Sequence, residues 1–174
     1  MLRERWESAL PFESFLQTAR SNVDLWHAIH QRAHVPPDLL ARAAALRTRW
    51  HLLVLSEDWC GDAVNTVPVV ARLAQLTGNL ELRILARDEN PDLMDAHLTG
   101  TSRSIPVVMA LDADFVEHAW WGPRPAELQA WFLAVGKTME KAERYREIRT
   151  WYARDGGVST LGEIVGMLEK AEAR

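Results

Sequence analysis

His51-Leu52-Leu53-Val54-Leu55-Ser56-Glu57-Asp58-Trp59-Cys60-Gly61-Asp62-Ala63-Val64 is the stretch on which the reading of this chain turns. Leu52 to Leu55 form an apolar run too short for a helix and bounded by polar residues, which reads as a buried strand. From residue 60 to 77 the apolar positions take helical spacing, at Val64, Val67, Val70, Ala71 and Ala74. Gly78-Asn79 then ends the helix. Cys60, the only cysteine of the chain, therefore stands where a strand passes into a helix.

Downstream, Leu80 to Leu85 alternates and meets Asn90-Pro91, which predicts a strand, a turn and a short helix over 91–98. Pro106 to Leu111 is a third strand. Asp112-Ala113-Asp114 reads as a hairpin turn into a fourth strand from Phe115 to Trp120, broken by Gly122-Pro123. The remainder is helical: Pro125 to Val135, then Thr138 to Arg154, stopped by Asp155-Gly156-Gly157. Thr160-Leu161-Gly162-Glu163 has the form of a capping box and predicts the start of a last helix.

Upstream, the first 50 residues read as helices. Pro11 opens one with Phe12, Phe15, Leu16 and Ala19. Ser21 or Asn22 caps a second with Leu25, Trp26, Ile29 and Ala33. A third runs from Asp38 to about Thr48. The order strand, helix, strand, helix, strand, strand, helix over 51–136 implies a parallel pair made by a right-handed crossover, then an antiparallel edge. The fold class is α/β, a mixed sheet covered by helices.

Composition bounds the function. The 174 residues, 48% hydrophobic, suit one domain with a sizeable core. A net charge of −4 lacks the basic footprint of a nucleic-acid binder. No stretch approaches the roughly 18 apolar residues of a membrane span, and the N-terminus has no apolar run typical of a secretory signal. The expectation is a soluble cytoplasmic protein without nucleic-acid or membrane partners. One cysteine excludes an internal disulfide.

Several motifs together resemble the thioredoxin superfamily over about residues 50–136. Trp59-Cys60-Gly61-Asp62-Ala63 is similar to the family's Trp-Cys-Gly-Pro-Cys. Pro68 matches the proline of its active-site helix, and Asp88-Glu89-Asn90-Pro91 its Asp-x-Asn-Pro turn. Ser104-Ile105-Pro106 resembles its cis-proline loop, and Gly122 its glycine after the hairpin. The resemblance implies a thioredoxin-like three-layer sandwich with a mixed central sheet. The parts are an N-terminal helical extension (1–49), the core (50–136) and C-terminal helices (137–174), as in extended bacterial thioredoxin-like families carrying Trp-Cys-Gly-Asp.

The chain departs from that pattern twice. Ala63 replaces the second cysteine, and Val54 replaces the buried carboxylate of the first strand. The resemblance then implies a monothiol oxidoreductase with Cys60 as the catalytic nucleophile. Trp59, Gly61, Asp62, Arg103, Ile105 and Pro106 would form the substrate-binding surround. A thiolate attacks a disulfide, so the product is a mixed disulfide that an external thiol must resolve. The implied partner is a protein or small-molecule disulfide. No bound cofactor is implied, and glutathione or another low-molecular-weight thiol would be the co-substrate. The helix start favours the Cys60 thiolate, Glu57, Asp58 and Asp62 oppose it, and Arg103 could offset them. The alternative is a redox-inactive binding module that uses the cis-proline surface or the Trp-rich helices. A homodimer linked through Cys60 is a third reading.

Three further groups have bland readings. His27, His30 and His34 fall along one helix face, which reads as solvated or interfacial rather than as a metal site. Trp120 and Trp121 point to opposite sides of a strand, one into the core. The mixed charges of residues 140–149 read as a solvated helix face.

Overall fold

A computed structural model describes residues 1–174. The run Trp50–Ser56 is strand β2, with all seven residues buried. Burying side chains such as Leu52, Leu53 and Leu55 contributes about 1.5–3 kcal/mol each, which is why this strand sits at the centre of the sheet. In chain order the other strands are β1 (Leu10–Pro11), β3 (Leu80–Ala86), β4 (Val107–Leu111) and β5 (Glu117–Trp121). The sheet order is β1-β3-β2-β4-β5. β2 and β3 are parallel, while β4 and β5 add antiparallel neighbours on one side and β1 on the other.

Nine helices surround it: α1 (Leu2–Ser8), α2 (Phe12–Thr18), α3 (Val23–Arg32), α4 (Pro37–Ala44), α5 (Gly61–Leu76), α6 (Pro91–Asp95), α7 (Ala126–Ala134), α8 (Lys141–Asp155) and α9 (Val158–Glu172). Strand alternation assigns them to faces. Val54, Val108 and Trp121 are register partners on one face. There the Trp121 indole donates to Glu163 of α9 at 2.6 Å, and α5 packs against α9. His51 and Arg83 lie on the other face, where Trp6 of α1 covers both. Trp120 meets the ring of His97 on that same side. The result is the expected α/β three-layer arrangement with helical extensions.

α5 is apolar almost all round because it packs on β3 and also against α3, α8 and α9. Its internal Pro68 is buried with it. The N-terminal helices contribute Phe12, Phe15 and Trp26 as an aromatic cluster continuous with the main core. The terminal segments are also joined directly. Arg42 makes a two-pronged pair with Glu169 at 2.9 and 2.7 Å, and Glu172 accepts from the Thr48 N–H at 2.7 Å. No helix is long and apolar enough to cross a membrane.

Local structure departs from the sequence expectations in six places. The first 50 residues include β1, a two-residue strand with no periodicity to reveal it. The third helix stops at Ala44, short of Thr48, and the long helix begins at Lys141 rather than Thr138. The fourth strand begins at Glu117, because Phe115 takes a left-handed φ of 64° within the turn. Thr160 and Glu163 form no capping box: α9 starts at Val158, and Asp155 accepts from the Ser159 N–H. Glu163 instead holds Trp121 and the Ala126 N–H, bracing the exit from β5. Finally, α3 ends at Arg32, so His34 lies beyond the helix that carries His27 and His30. No group of three metal-ligating side chains forms anywhere.

Candidate functional site

Cys60 is the N-cap of α5. Its Sγ accepts from the Ala63 N–H at 3.5 Å, one of the orphan donors of a helix start. On its other side the thiol donates to the Ile105 carbonyl at 3.5 Å. The Ile105–Pro106 peptide is cis. The β2–α5 turn and the loop before β4 thus meet at the sulfur, although 45 residues separate them.

The loop before Cys60 is fixed from the N-terminal extension. The Asp58 carboxylate accepts from the Arg20 and Ser21 N–H groups at 2.7 and 3.1 Å. Its carbonyl accepts from the Trp26 indole at 2.9 Å. Glu57 accepts from the Asp88 N–H at 3.0 Å. Two of the three carboxylates expected to repel the thiolate are therefore engaged elsewhere. Trp59 stays half exposed, with the Arg87 guanidinium 5.1 Å from its ring centre. A Cβ on Gly61 would stand in open space, so packing does not demand glycine there, and the surface beside Cys60 is left bare.

Asp62 is the third carboxylate, and it is buried. Arg124 approaches both of its oxygens, at 3.0 and 2.8 Å, and the Tyr152 hydroxyl donates to it at 2.8 Å. The cation that answers Asp62 is thus Arg124 and not Arg103. Arg103 forms its own two-pronged pair with Asp95 at 2.7 and 2.8 Å. Arg124 is held in turn by Gln129 at 2.9 Å and lies over the Phe132 ring. Burial raises Asp62 above the ordinary carboxylate range, while Arg124 and the Tyr152 hydrogen bond hold it back. Burial likewise raises Tyr152, and Asp62 adds to that.

These surroundings settle the sign that sequence left open. Burial pushes the Cys60 thiol up to about 11, with the Asp62 charge adding to it. The Ala63 and Asp62 N–H groups and Arg124 pull the other way without overcoming it. At neutral pH the resting sulfur is a thiol. Val54, where the resemblance expects a carboxylate, is a wholly buried core residue. The buried carboxylate near the sulfur comes from the helix side instead.

Cys60 lies on a cleft of about 730 Å³, within the range of small-molecule sites. Trp59, Gly61, Asp62, Arg103 and Ile105 line it with Cys60. Pro106 is not among the lining residues. Part of the lining was missed by sequence reasoning: Lys141, Tyr145 and Arg149 of α8, together with Arg124. Their i, i+4, i+8 spacing was the available signal, since it places them on one helix face.

Residues 9–149 match the sequence model of the thioredoxin family. Among solved structures, a protein of unknown function from Pseudomonas aeruginosa is 22% identical, with a TM-score of 0.75 over 95% of each chain. An HIV epitope-scaffold is 19% identical, with a TM-score of 0.78 over 97% of each chain. Both likenesses are of fold, and they extend through the terminal helices. Comparison with curated proteins finds no match.

Proposed function

The chain belongs to the thioredoxin family, and from that premise we propose that it carries out monothiol thiol–disulfide exchange through Cys60. The observation that carries this reading is the meeting of the Cys60 sulfur, at a helix start, with the Ile105 carbonyl on the wall of an open cleft. The Cys60 thiol loses its proton, and the thiolate attacks one sulfur of a disulfide R–S–S–R. The Cys60–S–S–R bond forms, and RS⁻ departs to take up a proton. Ala63 offers no second thiol, so an external thiol attacks the mixed disulfide and returns Cys60 to its reduced state. A cytoplasmic setting would supply glutathione or a similar thiol for that step. Ile105 and its neighbours would hold the substrate beside the sulfur. The Ile105 N–H has no protein acceptor, which supports pairing with an extended substrate segment.

The raised thiol defines how the reaction must run. Below about pH 11 the thiolate is a minor species, so alkylation by iodoacetamide should accelerate about tenfold per pH unit between 7 and 10. Mass spectrometry after incubation with a small disulfide should show one adduct, absent in Cys60→Ser. A Cys60 that stays unmodified by both reagents at pH 10 while the protein is folded would overturn this reading in favour of a redox-inactive binding module.

A further inference from the structure

The cleft beside Cys60 carries an unbalanced charge. Arg87, Arg103, Arg124, Lys141 and Arg149 line the cleft, against Asp62 as the sole acidic residue. Three of the five cations have carboxylate partners: Arg87 with Asp88 at 2.9 Å, Arg103 with Asp95 and Arg124 with Asp62. Lys141 and Arg149 have none within 4.0 Å.

The sequence of α8 offers these two cations no acidic partner one turn away. On a helix surface, partners lie three or four residues away. Around Lys141, the first residue of α8, those places are Arg144 and Tyr145, and around Arg149 they are Tyr145, Arg146, Tyr152 and Ala153. Neither cation has an acidic neighbour in reach. The helix does contain Glu140, Glu143 and Glu147, but these are not on the cleft. A charged helix of this composition would ordinarily pair its own charges on its exposed face. In α8 none does: Lys141, Arg144, Arg146, Arg149 and Arg154 all lack a carboxylate within 4.0 Å, and Lys141 and Arg149 are the two of them that line the cleft, with Tyr145 between them.

We propose that Lys141 and Arg149 form an anion-recognition wall, and that the substrate of this site is a low-molecular-weight disulfide bearing carboxylates. This rests on the exchange reading above and names its substrate class. The cleft's volume suits a small molecule. A carboxylate placed at Lys141 or Arg149 would steer the disulfide into the cleft and hold it while Cys60 attacks. The exchange itself is unchanged: one S–S bond breaks, one forms, and the released thiolate is protonated.

The test compares adduct formation on Cys60 by three disulfides of similar size at pH 8.5: 3,3′-dithiodipropionate, bis(2-hydroxyethyl) disulfide and cystamine. The anionic reagent should react about tenfold faster than the neutral one, and cystamine more slowly still. Rates with free cysteine as the nucleophile correct for each reagent's own reactivity. The anionic-to-neutral ratio should fall towards one in Lys141→Gln/Arg149→Gln. It should also fall in the unaltered protein at about 1 M salt, where the screening length is about 3 Å. Adducts with all three reagents at a corrected ratio of one would overturn the anion wall and leave the exchange reading standing. No adduct with any reagent would remove the exchange reading, and this inference with it.

Discussion

Replacing Asp62 by asparagine is expected to raise the rate of Cys60 alkylation at pH 7 by at least about tenfold, which corresponds to a drop of one pH unit or more in the thiol's titration midpoint. Two effects act in the same direction. The negative charge that opposes the Cys60 thiolate disappears. Arg124, whose charge Asp62 now neutralises through both oxygens, is left uncompensated and favours a nearby anion. Asparagine keeps an oxygen for the Tyr152 hydroxyl, so the local frame has a means of persisting. The variant should still be less stable, by about 3 kcal/mol, because a buried cation loses its partner. Alkylation rate against pH, measured where circular dichroism shows the fold intact, is the check. A midpoint that stays near 11 or rises would refute the electrostatic account of Cys60.

The same raised midpoint links the thiol to stability. Folding holds the Cys60 proton more tightly than the unfolded chain does, whose thiol has its ordinary value of 9.0. That contribution is complete below about pH 9 and is lost as pH rises through about 11. Asp62 thus has opposed consequences in one place. Its pairing with Arg124 and Tyr152 ties α5 to α8 and to the segment after β5, and its charge keeps the sulfur quiet at rest. A substrate carboxylate drawn to Lys141 or Arg149 adds binding energy without relieving that restraint. Turnover would therefore be governed by the small thiolate fraction.

What sequence revealed follows the range of the interactions involved. β2 and α5 were legible because a short apolar run and a helical repeat are local signals. Cys60 and Ile105 meet at one end of the neighbouring strands β2 and β4. The Asp62–Arg124–Tyr152 cluster was invisible because its members are 62 and 90 residues from Asp62 along the chain. Nothing local marks Tyr152 as a donor to a buried carboxylate. The stripe Lys141, Tyr145, Arg149 was read as a solvated face because mixed charge usually is one. Which of its cations face the cleft depends on how α8 packs on α5, and no local spacing carries that. Glu163 misled for a related reason: its spacing from Thr160 fits a cap, but a longer-range donor, the Trp121 indole, claims it.

Gly122 carries the other large effect. The resemblance marked it only as a glycine that follows the hairpin, and the structure supplies the reason. Its φ is +135°, and a Cβ there would stand 2.1 Å from the Pro106 carbonyl oxygen, a backbone atom that cannot turn away. Gly122→Ala should therefore cost about 3–5 kcal/mol, combining backbone strain with the forced displacement. That is a Tm lower by about 10 °C or more for a chain of this length. Gly166→Ala is the matched control: it lies inside α9 with open space at its Cβ, and should raise stability by about 0.5–1 kcal/mol. Because Pro106 follows Ile105, whose carbonyl contacts the Cys60 sulfur, the displacement in Gly122→Ala should also open the site. Cys60 alkylation in the folded fraction should then be faster than in the unaltered protein. A Gly122→Ala protein as stable as the Gly166→Ala control would show that the β5 exit does not press on the loop that faces the sulfur.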